Sequence, residues 1–398
     1  MALTRKLEES LLDRGYSRRQ IARVAMGAAA AIPFFNEFAL AQAPAARGGG
    51  FGGGGRGAYD PDVIRISGNE NPMGPTKEGL EALIKVAPMG WRYGPQGDNL
   101  DFQGLLESTE NVKPGYVTAY PGSSIPLANS VAAFTSPTRS WVMGSPGYGA
   151  GAGRFVGSKV NHVPLRKDYS HDVEAMIKAD PNAGAFYICN PNNPTGTLTK
   201  REDFEYVLAN KPKDAVLIID EAYVHFSGPE NYSTELVRQE KDVLVVRTFS
   251  KIYGMAGLRA GAIYGRPDLL AKVSQFGGGG FMPVTATACA AASMKVIKTM
   301  MPERLAINKK NRDYAMEHLD KLGVTYTPSG ANFFMMSVKG MTGQQVGNAM
   351  ANKKIQLAGA NRWPEWPQHI RVTVGTWDEM TKFNAALDQV IKEGPVKG

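Results

Sequence analysis

The chain has 398 residues, 43% hydrophobic and 21% charged, with 45 Lys+Arg against 37 Asp+Glu for a net charge of +8. That length holds two or three domains and a core of enzyme size, and the composition excludes a disordered chain. No run approaches the roughly 18 apolar residues of a stable membrane span, and the two cysteines, Cys189 and Cys289, neither build a disulfide framework nor pair with histidine at zinc spacing.

The first 58 residues hold eight Lys+Arg and four Asp+Glu, half of the net charge, so the remaining excess of base is too diffuse to imply nucleic acid. Ser17-Arg18-Arg19-Gln20-Ile21-Ala22-Arg23 leads into a weakly apolar stretch from Val24 to Ile32, then to Ala39-Leu40-Ala41-Gln42-Ala43. Basic, apolar and small-residue regions in that order read as an export signal over residues 1–43, with cleavage near Ala41 or Ala43. The paired arginines resemble the twin-arginine type, which implies the twin-arginine export machinery as a partner and a periplasmic or otherwise exported location. Residues 44–58, with eight glycines between Gly48 and Gly57, read as a flexible linker.

From about Asp60 short β-rich runs alternate with helical patterns. Strands are expected at Ser140–Met143, Gly184–Cys189, Ala215–Ile219, Val243–Val246 and Ala260–Tyr264, apolar on both faces as in a mostly parallel sheet. A helix is expected over Lys200–Asn210. After Pro283 come two long helices, Val284–Met300 and Pro302–Leu322. A smaller unit follows, with strands Asn332–Val338 and Ile370–Val374 and helices Thr342–Asn352 and Trp377–Lys392. Thr376 with Glu379 has capping-box spacing. The order is that of an α/β protein.

Polar clusters follow three of the strands. Asn190-Pro191-Asn192-Asn193-Pro194-Thr195-Gly196 follows Cys189, Asp220-Glu221-Ala222-Tyr223 follows Ile219, and Thr248-Phe249-Ser250-Lys251, with Arg259 beyond, follows Val246. Individually these are a turn, a cap and a surface lysine. If the strands are neighbours, all converge on the carboxyl edge of the sheet, where α/β proteins bind ligands. The glycine-rich stretch Gly147–Gly153 fits no frame of G-x-G-x-x-G, which argues against a dinucleotide site.

From Ile64 onward the sequence resembles the fold-type I, pyridoxal-phosphate-dependent aminotransferases (class I/II), within them the histidinol-phosphate aminotransferase branch. The marks are Gly68–Pro75, Tyr93, Asn190–Gly196, Asp220–Tyr223, Ser250-Lys251 with Arg259, and Arg371–Thr376. The resemblance implies an N-terminal arm and part of the small domain over 59–89, a large cofactor-binding domain over 90–285, and connecting helices with the small domain over 286–398.

It also implies the site. Lys251 would form the Schiff base with pyridoxal 5'-phosphate and then act as proton carrier; Asp220 would face the pyridine nitrogen. Asn193 and Tyr223 would bind the phenolic oxygen, and Tyr148 would stack on the ring. Ser123, Ser124, Ser250 and Arg259 would hold the phosphate, with Pro126 removing one backbone donor from the helix start. Tyr93 would reach the neighbouring subunit of a homodimer. Arg371 would clamp the α-carboxylate of amino acid and 2-oxo acid alike, with Asn69 and Arg362 as further substrate contacts.

The branch carries an arginine for the substrate phosphate where this chain has Ala358. Arg362 lies close by, and Trp363-Pro364 and Trp366-Pro367 reshape the loop. A ping-pong aminotransferase on a changed substrate is the reading that follows. A decarboxylase or lyase on the same scaffold remains as an alternative. So does a non-catalytic binding protein, against which the intact set Asn193, Asp220, Lys251, Arg259 and Arg371 stands.

Overall fold

In chain order the strands are β1 (Ile64–Arg65), β2 (Val117–Tyr120), β3 (Trp141–Ser145), β4 (Val160–Pro164), β5 (Ala185–Cys189) and β6 (Val216–Asp220). They continue with β7 (Val243–Thr248), β8 (Gly261–Tyr264), β9 (Thr325–Tyr326), β10 (Phe333–Ser337), β11 (Ile355–Gln356) and β12 (Ile370–Thr373). The computed structural model describes residues 60–93, 98–149, 151–277, 279, 281–359 and 362–395, with Glu9, Leu12, Asp13, Ser17 and Arg18 as isolated positions. The rest of the leader, its cleavage positions Ala41 and Ala43, and the glycine linker lie outside the described residues.

Seven strands form one sheet in the order β2-β8-β7-β6-β5-β3-β4. From β7 to β4 every neighbouring pair is parallel; β8 runs antiparallel to both β7 and β2. All residues of β5, β6 and β7 are buried, because both faces of the sheet are covered, and runs such as Val216-Leu217-Ile218-Ile219 suit that environment. One face packs Phe186, Ile188, Leu217 and Ile219 against Phe102 and Leu106 of helix Asp98–Glu110 and against Ala286 and Ala290 of helix Val284–Lys295. The other packs Tyr187, Ile218 and Val246 against Leu127 and Val131 of helix Ser124–Phe134.

A second cluster lies around the antiparallel sheet β12-β10-β9, covered by helices Gly343–Asn352 and Trp377–Glu393. Both helices start in capping boxes, Thr342 with Gln345 and the expected Thr376 with Glu379. The parallel pair β1 and β11 adds Ile64 and Ile355 to this core.

One expectation changes. The break between the two long helices falls at Val296, and the second runs Ile297–Leu322 with Pro302 inside it. Proline removes the bond to the carbonyl of residue 298. Lys298 lies on an exposed part of the chain, and the helix continues through Pro302.

Candidate active site

The parallel register aligns the strand ends: Cys189 of β5 lies opposite Asp220 of β6, and Asp220 opposite Val246 of β7. The three polar clusters therefore leave the sheet along one edge. Asp220, the last residue of β6, is buried, and its Oδ1 accepts the Ala222 N–H at 3.1 Å while Oδ2 accepts the Tyr187 hydroxyl at 3.0 Å. Burial pushes its carboxyl up to about 6, against the pull of these hydrogen bonds.

Lys251 follows β7. Its Nζ donates to the Gly68 carbonyl at 3.4 Å and lies 5.4 Å from the Tyr223 ring centroid. Burial, with the nearby Arg371 and Arg259 charges, pulls the amine down to about 8, although Glu70 and Asp220 oppose the shift. A lysine in such surroundings has a usable neutral fraction at neutral pH.

Between these groups lies a network that joins both sheets. The Tyr223 hydroxyl accepts from Asn69 Nδ2 at 3.1 Å and from Asn193 Nδ2 at 3.4 Å. Asn193 Oδ1 in turn accepts from Arg371 Nη1 at 2.6 Å, and Arg371 Nη2 donates to the Ser67 carbonyl at 2.9 Å. Thr373, two residues beyond Arg371 on the same face of β12, accepts the Asn69 N–H and donates to Asn69 Oδ1. Arg371 is buried, its Nε has no acceptor, and among the described residues no carboxylate forms an ion pair with it. Burial, with Arg362 adding repulsion, lowers its pKa to about 10. A buried guanidinium without a counter-ion is costly, and a bound carboxylate relieves that cost.

The anion-binding end is built around a glycine. Arg259 Nη1 lies 3.4 Å from Ser250 Oγ, which also accepts the Thr248 hydroxyl at 2.8 Å. A Cβ on Gly122, at φ +92°, would sit 2.2 Å from Arg259 Nη2, so only glycine leaves that hollow open. Ser123 precedes helix Ser124–Phe134 without capping it, which leaves its hydroxyl for another partner. Pro126 falls in the first turn, where N–H groups have no intrahelical acceptor, so the helix start is undisturbed. Tyr148 is half-buried and hydrogen-bonded to Ser124; burial and then Asp220 push its phenol up.

Lys251, Asp220, Tyr223, Asn193, Ser250, Arg259, Arg371, Asn69, Ser123, Ser124 and Tyr148 thus surround one crevice. Tyr93 stands apart at 96% exposure, and Arg362 is exposed, acting on Arg371 through its charge. Sequence reasoning missed Tyr187, Ser67 and Thr373. Period 2 puts Tyr187 on the same strand face as Cys189, but nothing in the sequence tells its hydroxyl from that of a packing ring.

The sequence pattern of the aminotransferase class I and II family matches residues 62–387 of this chain. The chain belongs to that family. It is 31% identical over 350 residues to histidinol-phosphate aminotransferase 1 of Cupriavidus pinatubonensis, spanning 84% of this chain and 90% of that one. Histidinol-phosphate aminotransferase 1 of Nitrosococcus oceani is 30% identical over 336 residues, 83% of this chain and 90% of its own. The structure of histidinol-phosphate aminotransferase from Sinorhizobium meliloti in complex with pyridoxal-5'-phosphate superposes with a TM-score of 0.72 at 24% identity, covering 83% of this chain and 91% of that one.

As an aminotransferase of this family, the protein uses pyridoxal phosphate. The residues present fit that group: a buried carboxylate with no ion pair among the described residues, an amine of lowered pKa, and an arginine beside a hollow that a Cβ would fill.

Proposed function

We propose that this aminotransferase moves an amino group between an L-amino acid without a side-chain phosphate and a 2-oxo acid, as an exported homodimer. The observation that carries the catalytic part is the buried Arg371, without a carboxylate partner among the described residues, in the crevice that holds Lys251 and Asp220.

Bound pyridoxal phosphate supplies an electron sink for the charge left on the substrate Cα. Asp220, ionised near neutral pH, would hold a proton on the ring nitrogen. Asn193 and Tyr223 would bind the phenolic oxygen, and Tyr148 would lie against the ring. Arg259, Ser250, Ser123 and Ser124 would hold the phosphate. Arg371 orients the α-carboxylate with Asn69 behind it, and Nζ of Lys251 removes the Cα proton and returns it to the product.

The substrate reading rests on Ala358. It is buried with Met335 and Trp363, with Trp366 against them, and the Trp363 ring centroid lies 5.2 Å from the Arg371 guanidinium. This apolar wall replaces the cation that the branch uses for a phosphate. Kinetics with a panel of donors test it: kcat/KM for the best phosphate-free amino acid should exceed that for histidinol phosphate by at least about tenfold, the scale of one lost charged contact. The reverse order rejects the reading and assigns Arg362 the phosphate.

Export is supported by the basic, apolar and small-residue order of residues 1–43. Fractionation should find the processed chain outside the cytoplasm, and unprocessed cytoplasmic protein contradicts it. The homodimer is supported by Tyr93, Leu80, Ile84, Trp91 and Phe281, large side chains left exposed in the single chain. Light scattering that returns the mass of a single chain would exclude it.

A further inference from the structure

We propose that Tyr187 is a positioning residue: its phenol, packed between Gly149 and Trp141, holds the Asp220 carboxylate in place for the cofactor's ring nitrogen. The inference rests on the reading of Asp220 given above and adds what keeps that carboxylate oriented and charged.

Tyr187 lies in the middle of β5, where packing alone asks only for an aromatic ring. It is buried among Trp141, Met143 and Ala152, and phenylalanine would fill the same space. Its hydroxyl instead reaches along the strand face to Asp220 Oδ2 at 3.0 Å. The other oxygen takes the Ala222 N–H, so the two bonds together fix the carboxylate plane. Without Tyr187 one bond remains, and the group can turn about its last torsion and take up a proton more easily.

The ring is itself held. Trp141 meets it edge-on at 5.7 Å, and a Cβ on Gly149, at φ +97°, would lie 3.3 Å from the Tyr187 Cζ. A Cβ on Gly153 would sit 2.8 Å from Trp141 Nε1. Gly149 and Gly153 therefore let the backbone lie close against Tyr187 and Trp141. The other charged and titratable groups facing Asp220 are Lys251, Glu221, Tyr148, Tyr223 and Cys189; among the described residues none of them hydrogen-bonds its carboxylate.

The test is equilibrium binding of pyridoxal phosphate to the cofactor-free full chain from pH 5 to 9, followed by protein fluorescence, for wild type, Tyr187→Phe, Trp141→Phe and Asp220→Asn. Titration of the cofactor phosphate and of Lys251 is common to wild type, Tyr187→Phe and Trp141→Phe and cancels in their differences. Tyr187→Phe should bind about tenfold more weakly at pH 7, with its acid limb about one pH unit above that of wild type. Trp141→Phe, which keeps an aromatic ring beside Tyr187 and leaves its hydroxyl in place, should keep the wild-type limb. Coincident limbs for Tyr187→Phe and wild type, or an equal displacement in Trp141→Phe, overturn the proposal. Asp220→Asn separates the two levels: wild-type binding by that variant removes the Asp220 reading itself, whereas weak binding beside an unaltered Tyr187→Phe removes only the role of Tyr187.

Discussion

Replacing Lys251 with alanine is expected to lower turnover by about 10⁴-fold or more while the protein stays folded, because positioned proton transfer alone contributes about 10²–10⁴-fold and the covalent anchor is lost with it. The side chain makes one long hydrogen bond, to Gly68, so little structure depends on it. Lys251→Arg should fail to the same degree: it restores the positive charge, but a guanidinium does not give up its proton at neutral pH. The pH profile follows from the same amine. Burial and two neighbouring arginines lower it to about 8, and the neutral form acts as base. The rate should fall about tenfold per unit on the acid side, where that form is depleted. Single-turnover measurements decide the point; more than about 1% of wild-type rate in Lys251→Ala places the proton carrier elsewhere.

Arg247→Met is expected to cost about 3–5 kcal/mol of stability, the usual penalty for stranding a buried counter-charge. Arg247 is buried on β7 between Glu110, with which it forms an ion pair, and Glu221, whose Oε2 accepts its Nε at 2.7 Å. Its guanidinium also lies 4.3 Å from the Tyr232 ring centroid. Burial opposes the charge on Arg247, yet the two carboxylates hold it protonated more firmly than an ordinary arginine. Burial also raises the Glu221 carboxyl, and Arg247 is the main force pulling it back. With the arginine gone, Glu221 is left with a folded-state pKa above its unfolded value. The deficit is therefore full above that folded pKa and shrinks as the pH falls through it and the carboxylate takes up a proton. Denaturant unfolding at two pH values measures this. Combining Arg247→Met with Glu110→Leu and Glu221→Leu should recover much of the loss, since an apolar replacement leaves no charge to strand. A deficit below about 1 kcal/mol would show that water reaches the triad.

The central strands were legible because burial on both faces leaves a continuous apolar run, and β5, β6 and β7 stand within a residue or two of where Gly184–Cys189, Ala215–Ile219 and Val243–Val246 place them. β4, Val160-Asn161-His162-Val163-Pro164, was not legible: as the edge strand it is only partly buried, and its mixed composition has no clear period. The helix break was misplaced because a proline does not always end a helix: this one lies inside Ile297–Leu322, and the break falls at Val296. Asn193 and Lys251 were readable as polar residues just past strand ends, Asp220 as the polar end of an apolar strand, and Arg259 by its place beyond Ser250-Lys251. Tyr187 was not, because an aromatic within an apolar strand reads as packing until the neighbouring strand places a carboxylate beside its hydroxyl. The same holds for Ser67 and Thr373, whose bonds to Arg371 and Asn69 span about 300 residues of chain.

The apolar wall at Ala358, Met335 and Trp363 bears on which amino acid enters, whereas Arg371, Lys251 and Asp220 bear on what happens to it. The most direct measurement of that second point is to add pooled L-amino acids to the purified protein loaded with pyridoxal phosphate, and follow its visible absorbance and any CO2 released. The account predicts that the visible band is lost without CO2 release and returns when 2-oxoglutarate or pyruvate is added. CO2 release with the band retained, or a band that no amino acid alters, would contradict it.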